Sequence, residues 1–163
     1  MPTPIWPIEG IALDSTGDMV ADSLGDKVTD LLANIATIVQ VYPTLANGID
    51  VVSANTDWVL GAFTEIVPAV TIGSDFHIHG IIVEALDRDA VFELVLYCGA
   101  GDTEVARVRW AQTGGFFGNM SLDTITGVQI PADSRIRAKF ASSDGTTLIA
   151  TVRISLRYAI YGG

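Results

Sequence analysis

The stretch DFHIHGIIVEA, residues 75–85, decides how the chain is read. Phe76 and Ile78 alternate with His77 and His79. A period of two belongs to a β-strand, whose successive side chains leave opposite faces. The stretch also holds the only two histidines. In a strand they stand side by side, and strict alternation continues their row through Ile81 and Val83, with Phe76 and Ile78 on the other face. Two imidazoles are fewer than the three or four ligands a zinc site takes. The pair therefore reads as a structural or interface pair, and neither a metal nor a cofactor is expected.

The same period recurs on both sides. Strands are expected near 58–67, 75–85, 91–98, 103–111, 125–130, 134–141 and 147–158. The breaks IGSD, DRD, GAGD, TGGFFGN, PADS and SSDG carry turn chemistry. Asp144-Gly145, between two alternating runs, is the strongest hairpin signal. Faces follow from parity. Ile136, Ala138 and Phe140 oppose Arg135, Arg137 and Lys139. Ala150, Val152, Ile154, Leu156 and Tyr158 oppose Thr151, Arg153, Ser155 and Arg157. Arg107 and Arg109 share a face, while Val105 and Val108 differ in parity. Several short strands without a helical stretch predict an antiparallel β-sandwich or jelly roll over residues 58–163. Basic side chains gather on its outer faces, as ordinary solvated sheet or as a wall for an acidic neighbour.

Upstream the period changes. Leu24, Val28, Leu31, Ile35, Ile38 and Tyr42 follow steps of four and three, the seam of a coiled-coil or bundle helix. An amphipathic helix over residues 13–44 is expected, stopped by Pro43. Its seam names Leu24, Val28, Leu31, Ile35 and Ile38 as oligomerisation residues, and a threefold bundle is the expected form. Aspartates at 14, 18, 22, 26 and 30 stack like charge on the front of this helix, so it needs a partner surface, a solvated face or cations. Residues 1–12 carry prolines at 2, 4 and 7 and read as an extended arm. Ile5, Trp6 and Ile8 are its apolar anchors, for a partner surface or as a frayed end. Residues 45–57 are turn-rich and read as a linker.

Charge is uneven. Residues 1–57 hold eight acids and one base; the rest holds eleven acids and eight bases. A formal net charge of -10 argues against binding nucleic-acid phosphates, which takes clustered Lys and Arg. No apolar run reaches the ~20 residues of a membrane span, and no signal peptide is recognised. A mean hydropathy of +0.42 without a span suggests surface buried against other subunits. The single cysteine, Cys98, excludes an internal disulfide and reads as a small hydrophobe. No G-x-S-x-G, H-E-x-x-H, P-loop or dinucleotide fingerprint appears, so the chain is not expected to be an enzyme.

From about Asn55 onward the phrases TDWVLGAFTEIVPAVTIGSDFHIHGIIVEAL, FELVLYCGAGDTEVARVRW and VQIPADSRIRAKFAS resemble small virion structural proteins of tailed bacteriophages, of the capsid decoration, cement or head-fibre type. The resemblance covers roughly two-thirds of the chain; the arm and helix fall outside it. It implies a jelly-roll-like domain, a homo-oligomer that is often a trimer, a virion location, and the major capsid protein or other virion proteins as partners. Three copies of the His77–His79 pair on one axis would also resemble the iron sites of some phage fibre tips. Two other readings stay open. One is a tail-fibre module binding a host glycan through residues 112–119, with Phe116, Phe117 or Trp110 stacking on sugar. The other is a glycan-processing enzyme using paired carboxylates among Glu65, Glu84, Glu93 and Glu104.

Overall fold

The computed structural model describes residues 39–115, 118–123, 129–146 and 149–160. Among them are nine strands: β1 (Val39–Tyr42), β2 (Ile49–Val52), β3 (Thr64–Val67), β4 (Phe76–Leu86), β5 (Ala90–Cys98), β6 (Thr103–Gln112), β7 (Met120–Asp123), β8 (Ile136–Ser142) and β9 (Thr151–Ile160). They form two antiparallel sheets. One runs β1-β9-β4-β7, with β2 also on β9; the other runs β3-β8-β5-β6. The two sheets bury one shared cluster. Val51, Phe76, Ile78, Ile81, Val83, Val152, Ile154 and Leu156 come from the first sheet, and Ile66, Phe92, Leu94, Leu96, Ile136 and Phe140 from the second. Alternation explains this membership in β5, β8 and β9. In β8, Ile136, Ala138 and Phe140 are buried and Arg137 and Lys139 are not, because one face meets the other sheet and one meets water.

In β4 the alternation breaks, and the break corrects the expected faces. Ile78 pairs with Tyr158 and Gly80 with Arg157, so His79 is an extra residue opposite a single step of β9. A β-bulge of this kind shifts parity by one. Phe76 and Ile78 face the core, and beyond the bulge Ile81 and Val83 join them, fully buried. They do not continue the histidine row. Gly80 fits the bulge because a Cβ there would sit 2.8 Å from the Leu122 carbonyl oxygen of β7. A second bulge at Glu84 returns Leu86 to the core side, opposite Val152. In β6 a bulge at Val105 reconciles the parity of Val105 and Val108, and both pack against the core.

Three other expectations are corrected. Val39–Tyr42 is a strand, not the last turn of a helix. Its V-Q-V-Y alternation pairs with Leu156–Ala159 of β9, and the Tyr158 hydroxyl donates to the Gln40 side chain at 2.7 Å. Cross-strand pairing here overrides a four-residue piece of heptad period. Residues 45–57 are more than a linker, because β2 extends the edge begun by β1. Tyr42 lies opposite Leu156 and Ile49 opposite Ile154, so residues 43–48 loop out beside Ser155. The Asp144-Gly145 turn does not close a hairpin: β8 and β9 belong to different sheets. β7 was absent from the expected strands; its Met120 and Leu122 pack on the core. Of the segment 125–130, Ile130 is described and bridges Phe76. The arm residues Ile5, Trp6 and Ile8 and the seam residues Leu24, Val28, Leu31, Ile35 and Ile38 lie outside the described residues.

Candidate functional site: the outer face of the four-stranded sheet

Among the described residues, the side of β3-β8-β5-β6 turned away from the core carries the cation–ring contacts, three of them. It is built by register. Glu93 lies opposite Arg109 on one side and Ala141 on the other; Val95 lies between Arg107 and Lys139; Tyr97 lies between Glu104 and Arg137. Val95 and Ala141 are fully buried and Glu93 is only 5% exposed, although all three point away from the core. Longer side chains roof them over. Arg107 and Arg109 both ion-pair with Glu93. Arg107 also binds Glu104 at 2.8 Å.

The segment leading into β3 supplies the aromatics. The Trp58 amide donates to the Ser142 carbonyl and the Gly61 amide to the Phe140 carbonyl, each at 2.9 Å. Residues 58–61 therefore run beside β8 before the regular strand begins, and the expected strand 58–67 is regular only over its last four residues. Only glycine fits at position 61, where a Cβ would collide with the Val52 carbonyl. This places Trp58, 45% exposed, with its ring 5.2 Å from the Arg109 guanidinium. Phe63, 37% exposed, meets the Tyr97 ring edge-on at 5.0 Å. The Arg137 guanidinium and Lys139 ammonium lie 4.0 and 4.1 Å from the Phe63 ring centre. Such cation–ring contacts contribute about 0.5–1 kcal/mol each at exposed positions.

Electrostatically the face is a network. The bond to Arg107 holds the Glu104 carboxyl below its usual range, and the same bond, more than the charge of Glu93, raises the Arg107 guanidinium. Asp102, in the β5–β6 turn, ion-pairs with Arg137 and lies 3.5 Å from Arg135. Charge-assisted bonds to the buried Glu93 offset its lost hydration. The arginines keep much of their surface in water, so each pair is screened and contributes on the order of 1 kcal/mol or less.

The other sequence candidates disperse. His77 and His79 sit half-buried on the five-stranded sheet. Arg157, opposite Gly80, ion-pairs with Asp123. Among the described residues no three His, Cys, Asp or Glu side chains converge as a metal cluster. Of the four strand acids considered as catalytic pairs, Glu93 and Glu104 share Arg107, and Glu65 lies opposite Arg137. Glu84 is on the other sheet, accepting from the Ala46 and Gly48 amides at 3.0 and 3.2 Å and from the Ser155 hydroxyl. Trp110 is 9% exposed and packs against Phe92 and Phe140 in the core, so it cannot stack on a sugar. Phe116 and Phe117 lie outside the described residues. Trp58 and Phe63 were not singled out by sequence, and Glu93 was named only as a strand acid. The shared parity of Arg107 and Arg109 was the available signal, but only the β5–β6 register shows that both reach Glu93.

Fold and face together define a mainly β, two-sheet module with an aromatic–cationic outer surface. No family model and no curated protein matches the chain. Solved structures similar to it include those of infectious bursal disease virus, Gt strain (19% identity, TM-score 0.39, covering 96% of this chain and 37% of that one) and Gx strain (18% identity, TM-score 0.38, 96% and 38%). A third is the VP2 subviral particle of infectious bursal disease virus (19% identity, TM-score 0.41, 96% and 38%). The chain spans less than two-fifths of the length of these structures' chains.

Proposed function

We propose that this chain is a structural protein of a virion, of the tailed-bacteriophage type, which binds an assembled capsid as an oligomeric decoration or cement protein. In this reading the two sheets are a jelly-roll-like sandwich that works through contact surfaces, without a reaction. One observation carries it. The resembling phrases supply all four strands of one sheet: TDWVLGAFTEIVPAVTIGSDFHIHGIIVEAL passes through β3 before it continues into β4 of the other sheet, FELVLYCGAGDTEVARVRW lies on β5 and β6, and VQIPADSRIRAKFAS ends in β8. That sheet is the one whose outer face presents Trp58, Phe63, Tyr97 and four arginines. Aromatic residues and arginine are the types enriched in protein–protein interfaces. An oligomer gripping several shell subunits holds by multivalency, without any single tight contact.

The test is co-sedimentation of the purified full chain with expanded capsids and with free capsid monomer. Binding to shells and not to monomer is expected; a protein found only on tails refutes the reading. The glycan-binding tail-fibre alternative now rests on Phe116 and Phe117, since the core takes Trp110 away. Changing both phenylalanines tests it, with host adsorption as the readout on particles that still assemble.

A further inference from the structure

We propose that the outer face of the four-stranded sheet is the contact through which one copy of this chain binds a second, with the cationic roof of one copy set against the acidic remainder of the next. The proposal rests on the reading of this face as a protein-contact surface and adds its occupant. The face and its rim hold five bases, Arg107, Arg109, Arg135, Arg137 and Lys139, against four acids, Glu65, Glu93, Asp102 and Glu104. The remainder of the chain keeps fifteen acids against four bases. Among the described residues alone, nine acids stand against three bases away from this face, so the described part is net acidic except on one face, whose net charge is slightly positive. Two copies approaching at random repel; approach through this face against another copy's flank is the orientation that attracts.

Three further features fit such a contact. Trp58, Phe63 and Val91 are three of the nine large apolar side chains that stand exposed among the described residues, and all three are on this side of the sheet. Their neighbours Val95 and Ala141 are already buried under the roof, so an incoming surface meets an ordered platform. Lys139 has no carboxylate partner among the described ion pairs. Its ammonium sits on the Phe63 ring, while the arginines around it are committed to Glu93, Glu104 and Asp102. An acid from a neighbour would complete it. Because the two surfaces are unlike, the contact is head-to-tail and closes into a ring or continues as a lattice.

The chain contains two lysines, Lys27 and Lys139, which makes the contact directly readable. Full-length protein mixed from nitrogen-14 and nitrogen-15 batches is treated with a zero-length carbodiimide, which joins an amine only to a carboxylate in contact with it. Digestion and mass spectrometry should reveal Lys139 peptides joined to acidic peptides with mixed labels. Their yield should fall severalfold between about 0.05 and 0.5 M salt, as screening requires. Trp58→Ala combined with Lys139→Glu should weaken self-association at least tenfold by sedimentation, with an unchanged circular dichroism spectrum. Same-label links only, no Lys139 links beside mixed Lys27 links, or Lys139 links only into a shell protein would each overturn the proposal. Loss of the mixed link with shell binding intact sinks this contact and spares the proposed function. A mixed link in protein that binds no shell does the reverse.

Discussion

Glu84 shows how this fold uses its acids. It sits at a bulge of β4, and its carboxylate crosses β9 to take the Ser155 hydroxyl and the amides of Ala46 and Gly48. It thereby pins the loop that joins β1 to β2. Asp89 takes the Gly114 and Gly115 amides at 2.7 and 3.0 Å; Asp75 takes the Ala132 amide at 2.8 Å. Much of the negative charge in this part of the chain thus satisfies backbone donors that loops would leave open. Glu84→Ala should destabilise by about 1–2 kcal/mol, since three donors lose an acceptor yet water reaches part of the site; urea midpoints check it. Asp57 binds the Thr146 hydroxyl and amide at 2.6 and 2.7 Å. Chiefly through the hydroxyl bond, its carboxyl is held below the ordinary aspartate value of 3.8. A depressed folded value means stability that is fully present above the unfolded value and lost as pH falls through the folded one. Asp57→Asn should therefore flatten the acid limb of the stability profile below about pH 4. An unchanged limb would show that the bond forms equally well with the protonated acid. Trp110 carries the opposite kind of information: its indole nitrogen is buried with no hydrogen-bond partner among the described residues. Trp110→Phe removes that orphan donor and keeps the ring, so it should change stability by less than about 1 kcal/mol, whereas Trp110→Ala should cost about 3–5 kcal/mol.

At the scale of elements, period-two patterning was enough to locate β4, β5, β6, β8 and β9, because each is a long strand with one face in the core. It failed where a strand is short or interrupted. β1 and β7 have four residues each, too few for a period to outweigh the surrounding signal; β1 was hidden in heptad spacing and β7 behind a glycine-rich turn. Pairing between distant segments was also invisible, so Asp144-Gly145 looked like a hairpin although its flanking strands belong to different sheets. The bulge at His79 is the most consequential miss. Nothing in FHIHGIIV announces an extra residue, yet it exchanges the faces of the residues that follow as far as the second bulge at Glu84. For the candidate site, the basic parity of β6 and β8 was legible, while the roof over Glu93 and the two aromatics from the pre-β3 segment needed cross-strand register. The bulge makes a sharp prediction. Ile81 is fully buried and Ile82 only partly, the reverse of what uninterrupted alternation from Phe76 demands. Ile81→Ser should cost about 3–4 kcal/mol through a core cavity and a buried hydroxyl. Ile82→Ser should cost less than half as much. Equal losses in chemical denaturation would mean that β4 runs without the bulge.

At the scale of the whole molecule, residues Ile38–Tyr161 form one compact unit, and the core cluster draws on both of its sheets. Of the heptad seam, Leu24 to Ile35 precede that unit in sequence and Ile38 begins it. Two physically different sources of self-association follow: apolar zipping through Leu24 to Ile38, and electrostatic contact through the sheet face. They separate on cutting the chain before Ile38. The fragment keeps every residue of the core cluster, so it should melt cooperatively within about 4 °C of the full chain, the shift that roughly 1 kcal/mol produces in a domain of this size. Zipping buries apolar surface and persists in salt, whereas contact between an acidic flank and a cationic face weakens once the Debye length falls to about 3 Å at 1 M. Sedimentation at low and high salt therefore reads the two apart. Full chain should retain a salt-resistant oligomer if the seam assembles, and the fragment should show only a salt-sensitive one. A fragment that stays monomeric at low salt removes the sheet face as a contact between copies, and a full chain that dissociates completely at 1 M salt removes the seam.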